Sequence, residues 1–211
     1  MSLLPEEETE RLLAVLGKLT VAPLRGGIRR IDQLVPEVAA LARSSRLLAF
    51  ATPHLSGMPH LVRAIYFDKS ADNNWLVVWH QDRTVAVSER FDMEGWGPWS
   101  LKAGAWHVQP PIEVLERMVT IRVHLDPAMQ ANGCLKIVPG SHLAGLLASD
   151  TVLERVDAAQ VVYCETPRGG GVVMRPHILH ASEKSYAAIP RRVLHFEYSS
   201  FQLPEGIAWA A

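Results

Sequence analysis

A chain of 211 residues with 48% hydrophobic content has the material for one full core, and 21 Lys and Arg against 22 Asp and Glu leave a formal charge of -1. That balance excludes recruitment of nucleic acid or an anionic membrane by net field, so the expected partner is a small molecule. Cys134 and Cys164 are too few for a disulfide framework, and neither a leader nor a run of roughly 20 apolar residues is present, so a cytoplasmic single domain over 1–211 is expected.

In chain order, Pro5 and the acids Glu6, Glu7 and Glu8 precede Leu12, Leu13, Val15 and Leu16, the pattern of a helix start. Arg25-Gly-Gly breaks the chain, and a second helix is predicted from about Ile31 to Leu48 on the spacing of Leu34, Val38, Leu41 and Ala42. Residues 1–50 thus form a helical flank. From Leu61 the texture changes to short apolar or alternating runs between turn residues, which predicts strands at Leu61–Phe67, Trp75–His80, Ala105–Val108, Thr120–Leu125, Cys134–Val138, Val161–Cys164, Gly171–Met174, Ile178–His180 and Arg191–Tyr198. Helices are expected at Ile112–Met118 and Leu147–Val156. The fold class is mainly β with flanking α-helices, a jelly-roll double sheet over 61–201. Loop 83–102, with Glu94-Gly-Trp-Gly-Pro-Trp, reads as a substrate lid, or as a surface loop whose Trp96 and Trp99 cap the core edge.

Chemistry concentrates in Trp79-His-Gln-Asp82. In an extended strand residues i and i+2 leave the same face, so His80 and Asp82 can share a metal ion while Gln81 points away. Trp75, Val77 and Trp79 suggest that this strand is buried. His107 and Gln109 share a face and are candidate substrate contacts, as is Trp99. Along Arg191–Tyr198 the alternation sets Arg191, Val193, His195 and Glu197 against Arg192, Leu194, Phe196 and Tyr198.

The run Asn132-Gly-Cys-Leu-Lys-Ile-Val-Pro-Gly-Ser-His142 resembles the Asn-Gly-x-Leu-x-x-x-Pro-Gly-Ser-His signature of the phytanoyl-CoA dioxygenase family. The resemblance extends over roughly Lys69 to Tyr198 and implies a double-stranded β-helix of cupin-like form, with iron(II), 2-oxoglutarate and dioxygen as cofactor and cosubstrates. It carries the first two iron ligands onto His80 and Asp82, the distal histidine onto His180, and the cosubstrate arm onto Ser182, Arg191 and Lys69. Ser182, two residues past His180, would share its face, which favours His180 over His177. Two imidazoles and a carboxylate on one side of ferrous iron leave positions for an oxo acid and dioxygen, and arginine's planar fork suits the distal carboxylate. The implied activity is hydroxylation of a small molecule with release of succinate and carbon dioxide. The alternatives are a cupin-like metalloenzyme that uses dioxygen without 2-oxoglutarate, and a non-catalytic binding protein of the same fold. The two turn dipeptides, Asn132-Gly133 and Pro139-Gly140, are expected to fold the sheet without entering the site.

Overall fold

The computed structural model describes residues 3–19, 27–70, 72–148, 150–157 and 161–211, so Arg25 and Gly26 of the expected break lie outside the described residues. Helix α1, Glu6–Leu16, starts at Pro5 with its three acids in the first turn, where they oppose the positive end of the helix dipole. It buries Leu12 and Leu16.

The helix predicted over Ile31–Leu48 is three helices: α2 (Ile31–Leu34), α3 (Pro36–Ala42) and α4 (Ser45–Ala51). Pro36 lacks an amide hydrogen and forces Val35 extended, which ends α2, and Ser44 is extended and caps α4 by accepting from the Leu47 amide at 3.3 Å. The apolar periodicity survives both interruptions because Ile31, Val38, Leu41, Ala42, Leu47 and Ala51 all join one core cluster.

The strands are β1 (Ile28–Arg29), β2 (His60–Lys69), β3 (Val77–His80), β4 (Val85–Val87), β5 (Trp99–Lys102), β6 (Ala105–Val108), β7 (Met118–His124), β8 (Leu135–Ile137), β9 (Val162–Tyr163), β10 (Gly171–Met174), β11 (His180–Ser182) and β12 (Arg191–Ser199). Helix α5 (Ile112–Glu116) leads into β7, and α6 (Val152–Asp157) is shorter than the stretch predicted from Leu147. The strand expected at Ile178–His180 begins two residues later, because a turn bonding the Ile178 amide to the Arg175 carbonyl occupies the run before it.

Antiparallel ladders build a five-stranded sheet, β1-β2-β12-β7-β10, a four-stranded sheet, β3-β11-β8-β9, and a small sheet, β4-β6-β5. The result is a jelly roll with a helical flank. Strand alternation divides the five-stranded sheet into two chemically opposite faces. Ala64, Tyr66, Val119, Ile121, Val123, Leu194, Phe196 and Tyr198 pack in the core cluster with the flanking helices, and Tyr198 Oη donates to the Ala42 carbonyl at 2.7 Å. The other face carries the polar residues. Among the described residues no helix is long and apolar enough to cross a membrane.

Candidate metal centre

The register of β3 on β11 sets His80 directly opposite His180, with ring centroids 4.3 Å apart. Each ring donates Nδ1–H to a carbonyl two residues earlier on its own chain, Val78 and Ile178 respectively, at 2.8 Å in both cases. That bond selects the tautomer whose Nε2 lone pair is free, the form a metal requires. The carboxylate of Asp82 lies between the two Nε2 atoms, 3.8 Å from His80 and 3.6 Å from His180, and one ligand atom from each residue falls within 4.8 Å of the others. With ligand bonds of roughly 2.1 Å, cis or tetrahedral ligand atoms stand about 3 to 3.4 Å apart, so the side chains need to draw in only slightly.

Asp82 follows the end of β3, and its amide is tied to the Pro176 carbonyl at 3.1 Å. Gln81 turns away and is satisfied on both sides: its Nε2 donates to the Gly145 and His177 carbonyls, and its Oε1 accepts from the Leu147 amide. The ligand run is thereby clamped to the 145–147 loop. β3 itself is not the buried strand that Trp75, Val77 and Trp79 suggested. It is a sheet edge with Val78 67% and Leu76 50% exposed, because these apolar side chains line cavity space rather than core.

The electrostatics suit a cation. Burial pushes the Asp82 carboxyl up, yet the His180 imidazole and the Arg63 guanidinium outweigh it and hold the group down to about 2. Burial lowers His180 to about 4, leaving it neutral and able to ligate near neutral pH.

A second group lies at the start of β12. Arg191 is the register partner of Lys69 on β2, and both are buried. Lys69 Nζ donates to Ser182 Oγ at 2.8 Å and to the Glu183 carbonyl at 2.6 Å, while Ser182 Oγ donates to the Gly133 carbonyl at 2.7 Å. Among the described residues Arg191 makes only a long side-chain contact, 3.4 Å from Nη2 to Ser182 Oγ, and its Nε and Nη1 are buried without a partner. Burial, and then the neighbouring arginines, lower Lys69 to about 7 and Arg191 to about 9. Arg191, desolvated and with unused donors beside Lys69, fits a carboxylate. The Asn132-Gly133 turn, expected to stay outside the site, enters it. Gly133 has φ 70°, and a Cβ there would stand 2.3 Å from the Glu183 carbonyl and 3.2 Å from Lys69 Nζ.

Between and beyond these groups, the inner face of the five-stranded sheet floors a cavity of about 840 Å³. Register lines up Arg29, Ile65, His195 and Arg122 across four strands, and Arg63, Glu197 and Thr120 across three. Arg122 Nη1 donates to His195 Nδ1 at 3.0 Å, His195 Nε2–H donates to Glu197 Oε1 at 3.0 Å, and Arg63 Nη2 reaches the same oxygen at 2.7 Å. Arg122 and Lys102 were not singled out from the sequence. The signal for Arg122 was the alternation of Thr120, Arg122 and His124 against Val119, Ile121 and Val123.

Of the three candidate substrate contacts, only His107 lines the cavity. Gln109 falls after β6 has ended, so strand parity no longer governs it, and its carbonyl accepts from the Gly97 amide. Trp99 packs on Phe91 and Trp106. The stretch 83–102 contains β4 and β5, and Trp96 is buried in the same cluster, so its tryptophans cap the core edge.

Residues 2–193 match the family model described as Phytanoyl-CoA dioxygenase (PhyH). No curated protein matches the chain in sequence. Among solved structures, AviO1 from Streptomyces viridochromogenes Tue57 is 21% identical, with TM-score 0.65 over 96% of this chain and 89% of its own. The non-heme alpha ketoglutarate dependent epimerase SnoN from nogalamycin biosynthesis is 17% identical, with TM-score 0.71 over 94% of this chain and 76% of its own. HygX from Streptomyces hygroscopicus, with nickel and 2-oxoglutarate bound, is 19% identical, with TM-score 0.65 over 94% of this chain and 80% of its own. At these identities the likeness establishes the fold.

Proposed function

The chain belongs to the phytanoyl-CoA dioxygenase family of iron(II)- and 2-oxoglutarate-dependent oxygenases, and from that premise we propose that it hydroxylates a small molecule at a ferrous centre held by His80, Asp82 and His180. The reading rests on one arrangement: three ligand atoms within 4.8 Å of one another, in a cavity that also holds Arg191, a buried cation with two donor nitrogens unpartnered among the described residues. The bound iron and oxo acid supply the oxidising power, with succinate and carbon dioxide released.

The chain's own residues bind and orient. Asp82 is ionised and His180 neutral near pH 7, so neither must lose a proton before a metal binds. The Nδ1–H bonds of the two histidines fix their ring planes. Arg191 and Lys69 take the distal carboxylate of the oxo acid, and Ser182, held by the Gly133 carbonyl, keeps Lys69 pointed at it. Leu76 and Val78 give the cavity an apolar stretch of lining.

The test supplies iron(II), 2-oxoglutarate and dioxygen with a panel of amino acids, acyl-CoA thioesters and small natural products, and compares succinate with product mass. One succinate per product that has gained one oxygen atom is expected. SnoN is described as an epimerase, so a product of unchanged mass would replace hydroxylation while retaining the cofactors. Turnover that persists in Arg191→Met would point instead to an oxygenase with no need of an oxo acid.

A further inference from the structure

We propose that Arg29, Arg63, Lys102 and His107 form a subsite for an anionic group, a carboxylate or a phosphate, on the primary substrate. The proposal deepens the oxygenase reading and rests on it.

Separation is the first argument. Along β12 the partner of Lys69 is Arg191 and the partner of Arg63 is Glu197. Six residues of extended chain span roughly 20 Å. A five-carbon diacid with its distal carboxylate at Arg191 and its oxo acid end at the metal has no carboxylate left for Arg29, Lys102 and His107. The metal group adjoins that end, because Asp82, His195 and Glu197 also bring ligand atoms within 4.8 Å of one another, and Glu197 is the ion-pair partner of Arg63. A substrate held there by its anion would present its body beside the metal centre.

Charge is the second. Six cations, Arg29, Arg63, Lys102, Arg122, Lys184 and Arg191, line the cavity, and among the described residues Asp82 is the only carboxylate in its lining. Iron(II) and doubly charged 2-oxoglutarate cancel each other on binding, and Glu197 offsets Arg63 alone. The loaded cavity therefore stays strongly positive. An anionic substrate restores balance, whereas a cationic one would add to a field already unpaired.

Unused hydrogen-bonding capacity is the third. Among the described residues the side chains of Arg29 and Lys102 have no hydrogen bond or ion pair, and Arg63 Nε and His107 Nδ1 are buried without a partner. All four residues line both the main cavity and a smaller adjoining recess. The sheet explains their convergence. Arg29 pairs with Ile65, whose side of β2 faces the cavity, and Arg30 turns the chain away at once with φ 56°. The β5–β6 hairpin brings Lys102 and His107 over the same end. Burial, then Arg63, Lys102 and Arg29, lower His107 to about 4, so it meets an anion as a neutral donor.

The experiment uses protein loaded with nickel(II) and saturating 2-oxoglutarate, which fills the Arg191 end, and titrates it calorimetrically with inorganic phosphate, hexanoate and hexylammonium. Saturable binding of hexanoate or phosphate, but not of hexylammonium, is expected, and the tighter of the two anions identifies a carboxylate or a phosphate ester. Arg29→Ala with Lys102→Gln should weaken that anion roughly tenfold or more, since each loses a charge-assisted contact, with 2-oxoglutarate affinity unchanged. Lys102 is exposed, so Lys102→Gln alone gives a folded fallback with a smaller loss. No anion binding, equal binding of hexylammonium, or an affinity indifferent to these variants would overturn the proposal. If nickel and 2-oxoglutarate fail to load, the oxygenase reading fails, and the same anion titration of Arg191→Met then judges the subsite by itself.

Discussion

Arg191 sets function against stability at a single side chain. In the free protein it is a nearly buried cation with two unpaired donor nitrogens, a costly arrangement that a ligand carboxylate would relieve. Arg191→Met should therefore abolish succinate formation while leaving the melting temperature of the ligand-free protein unchanged or raised, as calorimetry of both proteins will show. Lys69 gives a pH signature. Its folded value of about 7 lies below the ordinary 10.5, so between those values the unfolded chain holds more protons than the folded one, and stability rises with pH across that window. Thermal unfolding of the free protein at pH 7, 8 and 9 should show this rise, and Lys69→Met should flatten it. His80, Asp82 and His180 were legible as residues because i, i+2 spacing and ordered motifs mark them. Arg122 was not, because a lone arginine in a strand declares neither its face nor its neighbour until register is known.

At the level of elements, strand alternation was readable and interruptions were less so. The three helices within 31–51 share one apolar stripe, and the stripe dominated the reading although Pro36 and Ser44 carried the break signals. β4 and β5 were missed because Gly95, Gly97 and Pro98 made their connection look like an uninterrupted loop. The β5–β6 hairpin closes through Ala103 and Gly104, both at positive φ, the geometry of a tight primed turn. Alanine is the wrong residue for the first position, where a left-handed conformation costs about 1 to 2 kcal/mol. Ala103→Asn should raise stability by about 1 kcal/mol in denaturant unfolding, part of that penalty being relieved. A variant no more stable than the parent would remove strain at Ala103 from the account.

Across the whole molecule, the five-stranded sheet is a partition. One face buries Phe196 and Tyr198 against the helical flank, and the other presents the ladder of cations to the cavity. This division was written into the alternation of Arg191–Tyr198, and it separates the residues that hold the fold from those proposed to do chemistry. Phe196→Ala, at a fully buried position, should cost about 3 to 5 kcal/mol of stability, measured by denaturant unfolding, without altering 2-oxoglutarate affinity under native conditions. Sequence could establish the jelly roll and its motifs, but the cavity's chemistry depends on cross-strand rows such as Arg29, Ile65, His195 and Arg122, assembled from distant segments.

The central claim is that two histidines and one aspartate from adjoining strands hold a single metal, with Arg191 receiving the far end of the cosubstrate. Anaerobic crystals soaked with iron(II) and 2-oxoglutarate test it directly. The account predicts one ion bound by His80 Nε2, an Asp82 oxygen and His180 Nε2, with the distal carboxylate on Arg191. An ion bound instead by Asp82, His195 and Glu197, or a diacid anchored at the Arg63 end, would contradict it.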